Sequence, residues 1–231
     1  MTGKKMVAYI KTQISSIYGA VAIVGNLECE SALKSKNLQN SCEKRLGYND
    51  EMYTAAVDNG SYSRTRFIRD SAGYGLAQWT YWTRKQALYD YLKSRNLSIG
   101  DEKGQLDFML LEMQGNSRLW KILNTSTDLK ECSDAVMTLY ERPANQSEAA
   151  KTYRYNRAVK ILSEVNERKE YYEKSDYSGG SIIDALKSIN VESSKANRRK
   201  IAAANGIEGY SGKADQNKQL LALFKEGKLK R

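Results

Sequence analysis

The run Val21-Ala22-Ile23-Val24-Gly25-Asn26-Leu27-Glu28-Cys29-Glu30-Ser31 reads as an apolar helix that ends on a carboxylate. Ile23, Leu27 and Glu30 are spaced four and three apart, so they share one face, the apolar one. A carboxyl that emerges among buried side chains is pushed toward its neutral form, and the negative end of a helix dipole works in the same direction. A carboxylic acid kept protonated near neutral pH can protonate a leaving oxygen such as that of a glycosidic bond. Taken alone, Glu30 could equally be a helix-end residue facing water. Glu28, two positions earlier, points to another face and is expected exposed and outside the chemistry.

A second group follows at Asp70-Ser71-Ala72-Gly73-Tyr74-Gly75-Leu76-Ala77-Gln78-Trp79. Its glycines let backbone approach a ligand closely, and Gln78 offers both amide donors and an acceptor. Trp79, Tyr81 and Trp82 add flat apolar faces that suit either a core or a sugar-stacking platform. Asp70 is either a solvated loop residue or a second carboxylate able to activate water.

The chain of 231 residues contains no histidine. Zinc amidases and peptidases rely on histidine ligands, and Cys or Ser hydrolases on a histidine base, so those routes are set aside. Carboxylate chemistry needs only Asp and Glu, and neither a metal nor a cofactor. Cys29, Cys42 and Cys132 are odd in number, lack metal-ligand spacing and read as reduced, semi-buried residues. A net charge of +10 calls for an anionic partner. Residues 181–231 hold 11 Lys and Arg against 5 Asp and Glu, so the basic character is concentrated there.

Three segments together carry a resemblance. "GNLECES", then "SAGYGLAQWT", then "YERPA" is similar to the phage-type lysozyme family of tail lysins and endolysins. There a Gly-Asn-Leu-x-x-Glu-Ser helix end supplies the catalytic Glu and a Gly-Tyr-Gly-Leu-x-Gln-Trp loop lines the cleft. The likeness spans roughly Val7 to Tyr172. It implies a lysozyme-like domain in which Glu30 is the catalytic acid and Asp70 the candidate second carboxylate. Ser31, Tyr74, Gly75, Gln78, Trp79, Tyr81 and Tyr140 are the residues expected to bind substrate. Tyr140 matches a tyrosine that lies near the catalytic Glu in lytic transglycosylases, although Glu141-Arg142 replaces Asn-Ala after it. Asp70 is offset by one residue from the auxiliary Asp of goose-type enzymes.

The implied activity is cleavage of the MurNAc-GlcNAc bond of peptidoglycan, by a muramidase that uses water or by a lytic transglycosylase that uses the sugar's own C6 hydroxyl. A non-catalytic wall-binding phage protein is the alternative from another class. The expected partners are peptidoglycan and teichoic acids. Neither nucleic acid, for which charge is the sole argument, nor a membrane is expected. The start lacks the apolar stretch of a secretory signal, so synthesis in a host cytoplasm and action on the wall, or a place in the virion, is expected.

These residues need helices to hold them. One proline (Pro143) and abundant Lys, Glu, Ala and Leu favour a mainly α chain. Helical periodicity recurs over Met6–Ile17, Tyr18–Glu30, Thr83–Arg95, Lys103–Gln114, Arg118–Asn124, Leu129–Tyr140 and Ser147–Lys174. Residues 34–80 read as irregular. Ser178-Gly179-Gly180-Ser181 reads as a linker, dividing a catalytic domain, 1–177, from a small three-helix bundle, 181–231, with helices over Ile182–Ile189, Ser194–Asn205 and Ala214–Lys225. The second domain resembles wall-binding modules at the C-termini of clostridial-type amidases and lysins.

Overall fold

The helix that carries Glu30 is buried on nearly every side. The computed structural model describes residues 1–166, 171–173 and 175–231, and within it Gly19 through Leu27 of that helix are all inaccessible. A helix apolar all round belongs in the middle of a protein. The expectation of one apolar face is therefore corrected: Glu30 reaches the surface because the helix ends there, not because it lies on a polar stripe. Glu28 is half-buried beside Arg157, 3.7 Å away, rather than exposed.

The chain divides into two compact units, residues 1–166 and 167–231. The first contains α1 (Gly3–Ile10), α2 (Ile17–Ser31), α3 (Asn40–Leu46), α4 (Asp50–Asp58), α5 (Arg64–Arg69), α6 (Trp82–Lys93) and α7 (Glu102–Gln114). These are followed by α8 (Ser117–Thr125), α9 (Leu129–Ala135), a π-helical turn (Val136–Glu141) and α10 (Glu148–Asn166). No strand occurs among the described residues, only isolated bridges such as Tyr74 to Trp79. Helix α2 packs chiefly against α10 and α9. Side-chain caps set many starts: Ser16 for α2, Asn49 for α4, Ser63 for α5, Asp101 for α7 and Asp128 for α9 each accept from a backbone N–H of the first turn.

Residues 34–80, expected to be irregular, contain the three short helices α3 to α5. The expected first helix stops at Ile10, and Ser16 starts a new one. The helix expected over Ser147–Lys174 runs from Glu148 to Asn166; Tyr171–Glu173 are not helical, and 167–170 and Lys174 lie outside the described residues. Tyr172 and Tyr177, expected in the first domain, pack against the core of the second unit, and the Tyr172 amide donates to the Leu229 carbonyl at 2.8 Å.

That second unit carries α11 (Ile182–Ser188), α12 (Lys195–Ala204) and α13 (Ala214–Lys225) around Leu186, Ile201, Leu220 and Phe224. Asn190, Gly206 and Gly227 end them with positive φ, the left-handed geometry in which helices commonly stop. Among the described residues no helix is long and apolar enough to cross a membrane.

Gly25 permits the contact on which the site rests. A Cβ there would lie 2.7 Å from the Ala158 nitrogen and 2.8 Å from its Cα, so α10 approaches α2 closer than any side chain allows. Gly25→Ala gains up to about 1 kcal/mol of helix propensity but forces backbone apart, at about 1–3 kcal/mol. The expected net loss is about 1–2 kcal/mol, read as a lower urea midpoint with an unchanged slope.

Candidate active site

Glu30 sits in the last turn of α2 and Arg154 on α10 faces it. The Arg154 guanidinium donates to Glu30 Oε1 and, through its other nitrogen, to Asn26 Oδ1 at 3.1 Å. Asn26, one turn before Glu30, donates in turn to Ala22 O at 2.9 Å and to Ser133 O at 3.3 Å, which ties α2 to α9. The neighbour of Glu30 is thus a largely buried cation. Sequence reasoning did not find Arg154, because one arginine in a Lys- and Arg-rich helix gives no signal.

Past Glu30 the chain turns sharply: Ala32 and Leu33 have φ of 51° and 61°. Ser71, Gln78 and Arg142 share that left-handed geometry, so most non-glycine residues with positive φ adjoin the expected site. Such geometry costs about 1 kcal/mol or more per residue and tends to gather at functional sites.

A cavity of about 850 Å³ opens in the same unit, lined by Tyr81, Arg84, Glu112, Tyr140, Glu141 and Arg142 among others; Glu30 and Arg154 are not part of its lining. Tyr81, 63% exposed, also lines a second hollow of about 420 Å³ with Trp82 and Arg69. Glu112 is heavily engaged. It accepts from Arg84 Nε at 2.9 Å and Nη2 at 2.8 Å, from Trp79 Nε1 at 2.8 Å and from the Tyr140 hydroxyl at 2.7 Å. Burial acts against the Arg84 charge, but the hydrogen bonds and charge of Glu112 outweigh it and hold the guanidinium above its ordinary value. Burial, followed by the Glu112 charge, raises the Tyr140 hydroxyl well above its usual range, so it stays a donor.

Glu141 differs. Its Oε1 is closed off from solvent and has no hydrogen-bond partner among the described residues. Desolvation, then the charge of nearby Glu30, holds its carboxyl well above the usual carboxylate range.

The glycine loop is a scaffold rather than a lining. Tyr74 and Trp79 are fully buried and exchange backbone hydrogen bonds at 3.2 and 3.0 Å. Gly75, with φ of 78°, makes the turn between them. Gln78 spends its amide nitrogen on Asn37 O, Asn37 Oδ1 and Gly75 O, at 3.0–3.1 Å. Ser31 is buried and donates to Leu27 O. Of the residues expected to bind substrate, the structure puts Tyr81 and Tyr140 on the cavity wall. Trp79 is buried and donates its indole N–H to Glu112 of that wall, while Ser31, Tyr74, Gly75 and Gln78 hold up loops that do not line the cavity.

Asp70 is not a loop carboxylate open to water. Its side chain is 4% exposed and pairs at 2.6 Å with Lys85 Nζ, which is wholly buried. Its oxygens also accept from the Tyr53 hydroxyl, the Tyr62 hydroxyl at 3.3 Å and the Ala72 amide at 2.9 Å. Burial lowers Lys85 from its ordinary value against the pull of Asp70, and burial and Asp70 together raise Tyr62 to about 12.

The model of the phage tail lysozyme family matches residues 2–165. This chain belongs to that family. Its members' lysozyme-like domain accounts for the first unit, with Glu30 at the end of the central helix. A stretch of 47 residues, 20% of this chain, is 47% identical to the L-alanyl-D-glutamate peptidase of Listeria phage A118 and covers 17% of that protein. This phage lysozyme-family chain thus shares a short segment with a phage enzyme of another class.

Removing one partner of a buried ion pair costs about 3–5 kcal/mol. Lys85→Met should therefore lower the unfolding free energy by about that much, with Asp70→Asn in the same background restoring part of it. Unfolding curves of the wild type and the two variants check this; an unchanged Lys85→Met midpoint would overturn the structural role of the Lys85–Asp70 pair.

Proposed function

We infer that this chain is a phage peptidoglycan hydrolase that cleaves the MurNAc-GlcNAc glycosidic bond as a muramidase, with Glu30 as general acid. The observation that carries the reading is a carboxylate at the end of the central helix, in a chain of the phage tail lysozyme family whose first unit also holds a cavity walled by Tyr81 and Tyr140. Tyr81 offers an exposed ring for a sugar face, and the two hollows that share it suit a substrate of several linked sugars. Glu30 protonates the oxygen leaving C1, and the charge that remains on it is met by Arg154.

A second reading has a specific observation in its favour. A muramidase needs a base to activate water, and Asp70 is occupied by Lys85, two tyrosines and a backbone amide. A lytic transglycosylase needs no such base, because the C6 hydroxyl of the muramic acid attacks C1 after Glu30 has become a base. Reducing ends or anhydro-muramic ends, seen by mass spectrometry of digested peptidoglycan, distinguish the two.

The peptidase likeness is short. Forty-seven residues are too few for a catalytic domain of ordinary size, and the chain has no histidine with which to build a zinc peptidase site. The second unit lies outside the family match and residues 181–231 are rich in Lys and Arg, and we assign residues 167–231 a wall-directed role, with peptidoglycan or teichoic phosphates as the target.

Glu30→Gln keeps the shape but has no proton to give, so a folded variant should lose about 100-fold or more in the rate of wall lysis. Near-normal lysis would overturn the assignment. A chain ending at Asn166 should cleave soluble glycan fragments at close to the full rate yet act about 100-fold more slowly on intact walls, because tethering works through effective concentration. Equal rates on both substrates would remove the wall-binding role.

A further inference from the structure

The smaller hollow beside Tyr81 holds a charge that the reading above does not use. It encloses about 420 Å³ and is lined by Ile68, Arg69, Ser71, Thr80, Tyr81 and Trp82. Both of its aromatic rings are open to solvent, Tyr81 at 63% and Trp82 at 38%. Their centroids lie 6.1 Å apart and their planes are inclined at 44°. Neighbouring large rings left in water call for an explanation, and the local fold gives none for Tyr81. It is the N-cap of α6 and makes no side-chain cap, at a position where Ser, Thr, Asp or Asn would stabilise the helix.

Arg69 brings the charge. Its guanidinium lies over the Trp82 ring, 4.3 Å from the centroid, and forms no ion pair or hydrogen bond among the described residues. Asp70, the acid next in sequence, is committed to Lys85, and Asp90 is paired with Arg64 at 2.7 Å. A charge in the last turn of α5 suits the helix dipole, but a lysine would serve that purpose. A guanidinium stacked on a ring is held flat, and its fork of N–H donors matches the plane of a carboxylate.

A ring for the face of a pyranose and an arginine for an oxyanion fit one class of ligand, a sugar that bears an acid. In peptidoglycan that sugar is muramic acid. Its lactyl ether ends in a carboxyl, either free or extended by an acidic stem peptide, whereas N-acetylglucosamine carries no acid. Tyr81 lines both this hollow and the larger cavity, so one glycan strand crossing that ring reaches both.

We propose that the hollow is a subsite for the acidic side chain of a muramyl residue. Arg69 binds the carboxylate, Trp82 is the positioning residue that holds Arg69, and Tyr81 carries the face of the sugar. The proposal rests on the peptidoglycan reading and adds to it a selectivity for acidic over neutral glycan.

Binding is measured by titration calorimetry in a Glu30→Gln parent, so that turnover does not consume the probes. Three soluble probes are compared: a neutral N-acetylglucosamine hexamer, a GlcNAc-MurNAc strand stripped of peptide, and the same strand with its peptides. At low salt the parent should bind an acidic strand at least about fivefold more tightly than the hexamer, the size of one well-formed exposed ion pair. Added salt should shrink that margin. Arg69→Met should cut it to less than about twofold, and Arg69→Lys, which keeps the charge without the fork, should retain part of it. Trp82→Ala should lose most of the margin although Arg69 is still present, and Trp82→Phe should restore it. Tyr81→Ala should weaken all three probes together.

A margin on the stripped strand assigns the lactyl carboxylate as the ligand; a margin only on the peptide-bearing strand assigns an acid of the stem peptide. A parent without a margin, or a margin that survives Arg69→Met, would overturn the proposal. Arg69, Tyr81 and Trp82 are all exposed, so unfolding midpoints close to that of the parent should accompany these losses. The two readings fail separately. Wall lysis by the Glu30→Gln parent would end the Glu30 assignment while the margin still decides the subsite. An inactive parent without a margin ends the subsite alone, and a parent that binds none of the probes ends both.

Discussion

The grip of Arg154 on Asn26 and Glu30 is the interaction on which the placing of the central helix's last turn depends. It exists only because Gly25 lets the α10 backbone come against α2, which brings a guanidinium within reach of two side chains one turn apart. Asn26 spends its amide on α9 in the same stroke, so three helices are joined at one polar point inside an otherwise apolar core. A buried polar cluster that is fully paired has one low-energy arrangement, and this one fixes where the end of α2 lies. Glu30 is therefore positioned by packing rather than by a loop.

The sequence made the helices legible because the physics that makes them is local. Periodic apolar spacing, Ser, Asn and Asp caps, and Asn190, Gly206 and Gly227 as stops all act within a turn or two, and α6, α7 and α11 to α13 lie within a residue or two of where the pattern put them. The short helices of residues 40–69 escaped because their Asn, Ser and Tyr content reads as loop, and because their stability comes from packing: Tyr53, Tyr62, Phe67 and Tyr74 stack within 5.3–6.1 Å of one another. Glu30 was legible as the polar end of an apolar helix. Arg84, Glu112, Glu141 and Arg154 were not, since their significance lies in who faces whom across four helices, and no spacing records that. Trp79 illustrates the difference: its type suggested a sugar platform, yet it is fully buried and spends its indole N–H on Glu112.

Backbone geometry carries the same message from another direction. Ala32, Leu33, Ser71, Gln78 and Arg142 hold left-handed conformations without being glycine. Each lies on, or within three residues of, Glu30, Asp70, Gln78 or Glu141. A helix can stop more cheaply on glycine, so a run such as Ala32-Leu33 is held by its surroundings: Ala32 bonds back to Glu28 O, and Lys34 to Ser31 O. The cost of these turns is met by the burial of α2 and fixes the directions in which the chain leaves its carboxyls.

Asp70 and Glu141 show how two acids in one unit come to different ends. Asp70 was given a buried ammonium, two phenols and a backbone amide; its charge is fully answered, so it ties α4 and α5 to α6. Glu141 was given no cation of its own, because Arg84 and Arg154 are committed to Glu112 and Glu30. An acid so placed contributes little to stability once ionised, and a well-packed neutral side chain would serve the fold as well. Glu141 is left on the wall of the cavity with one enclosed oxygen unanswered, where both oxygens of Asp70 are engaged.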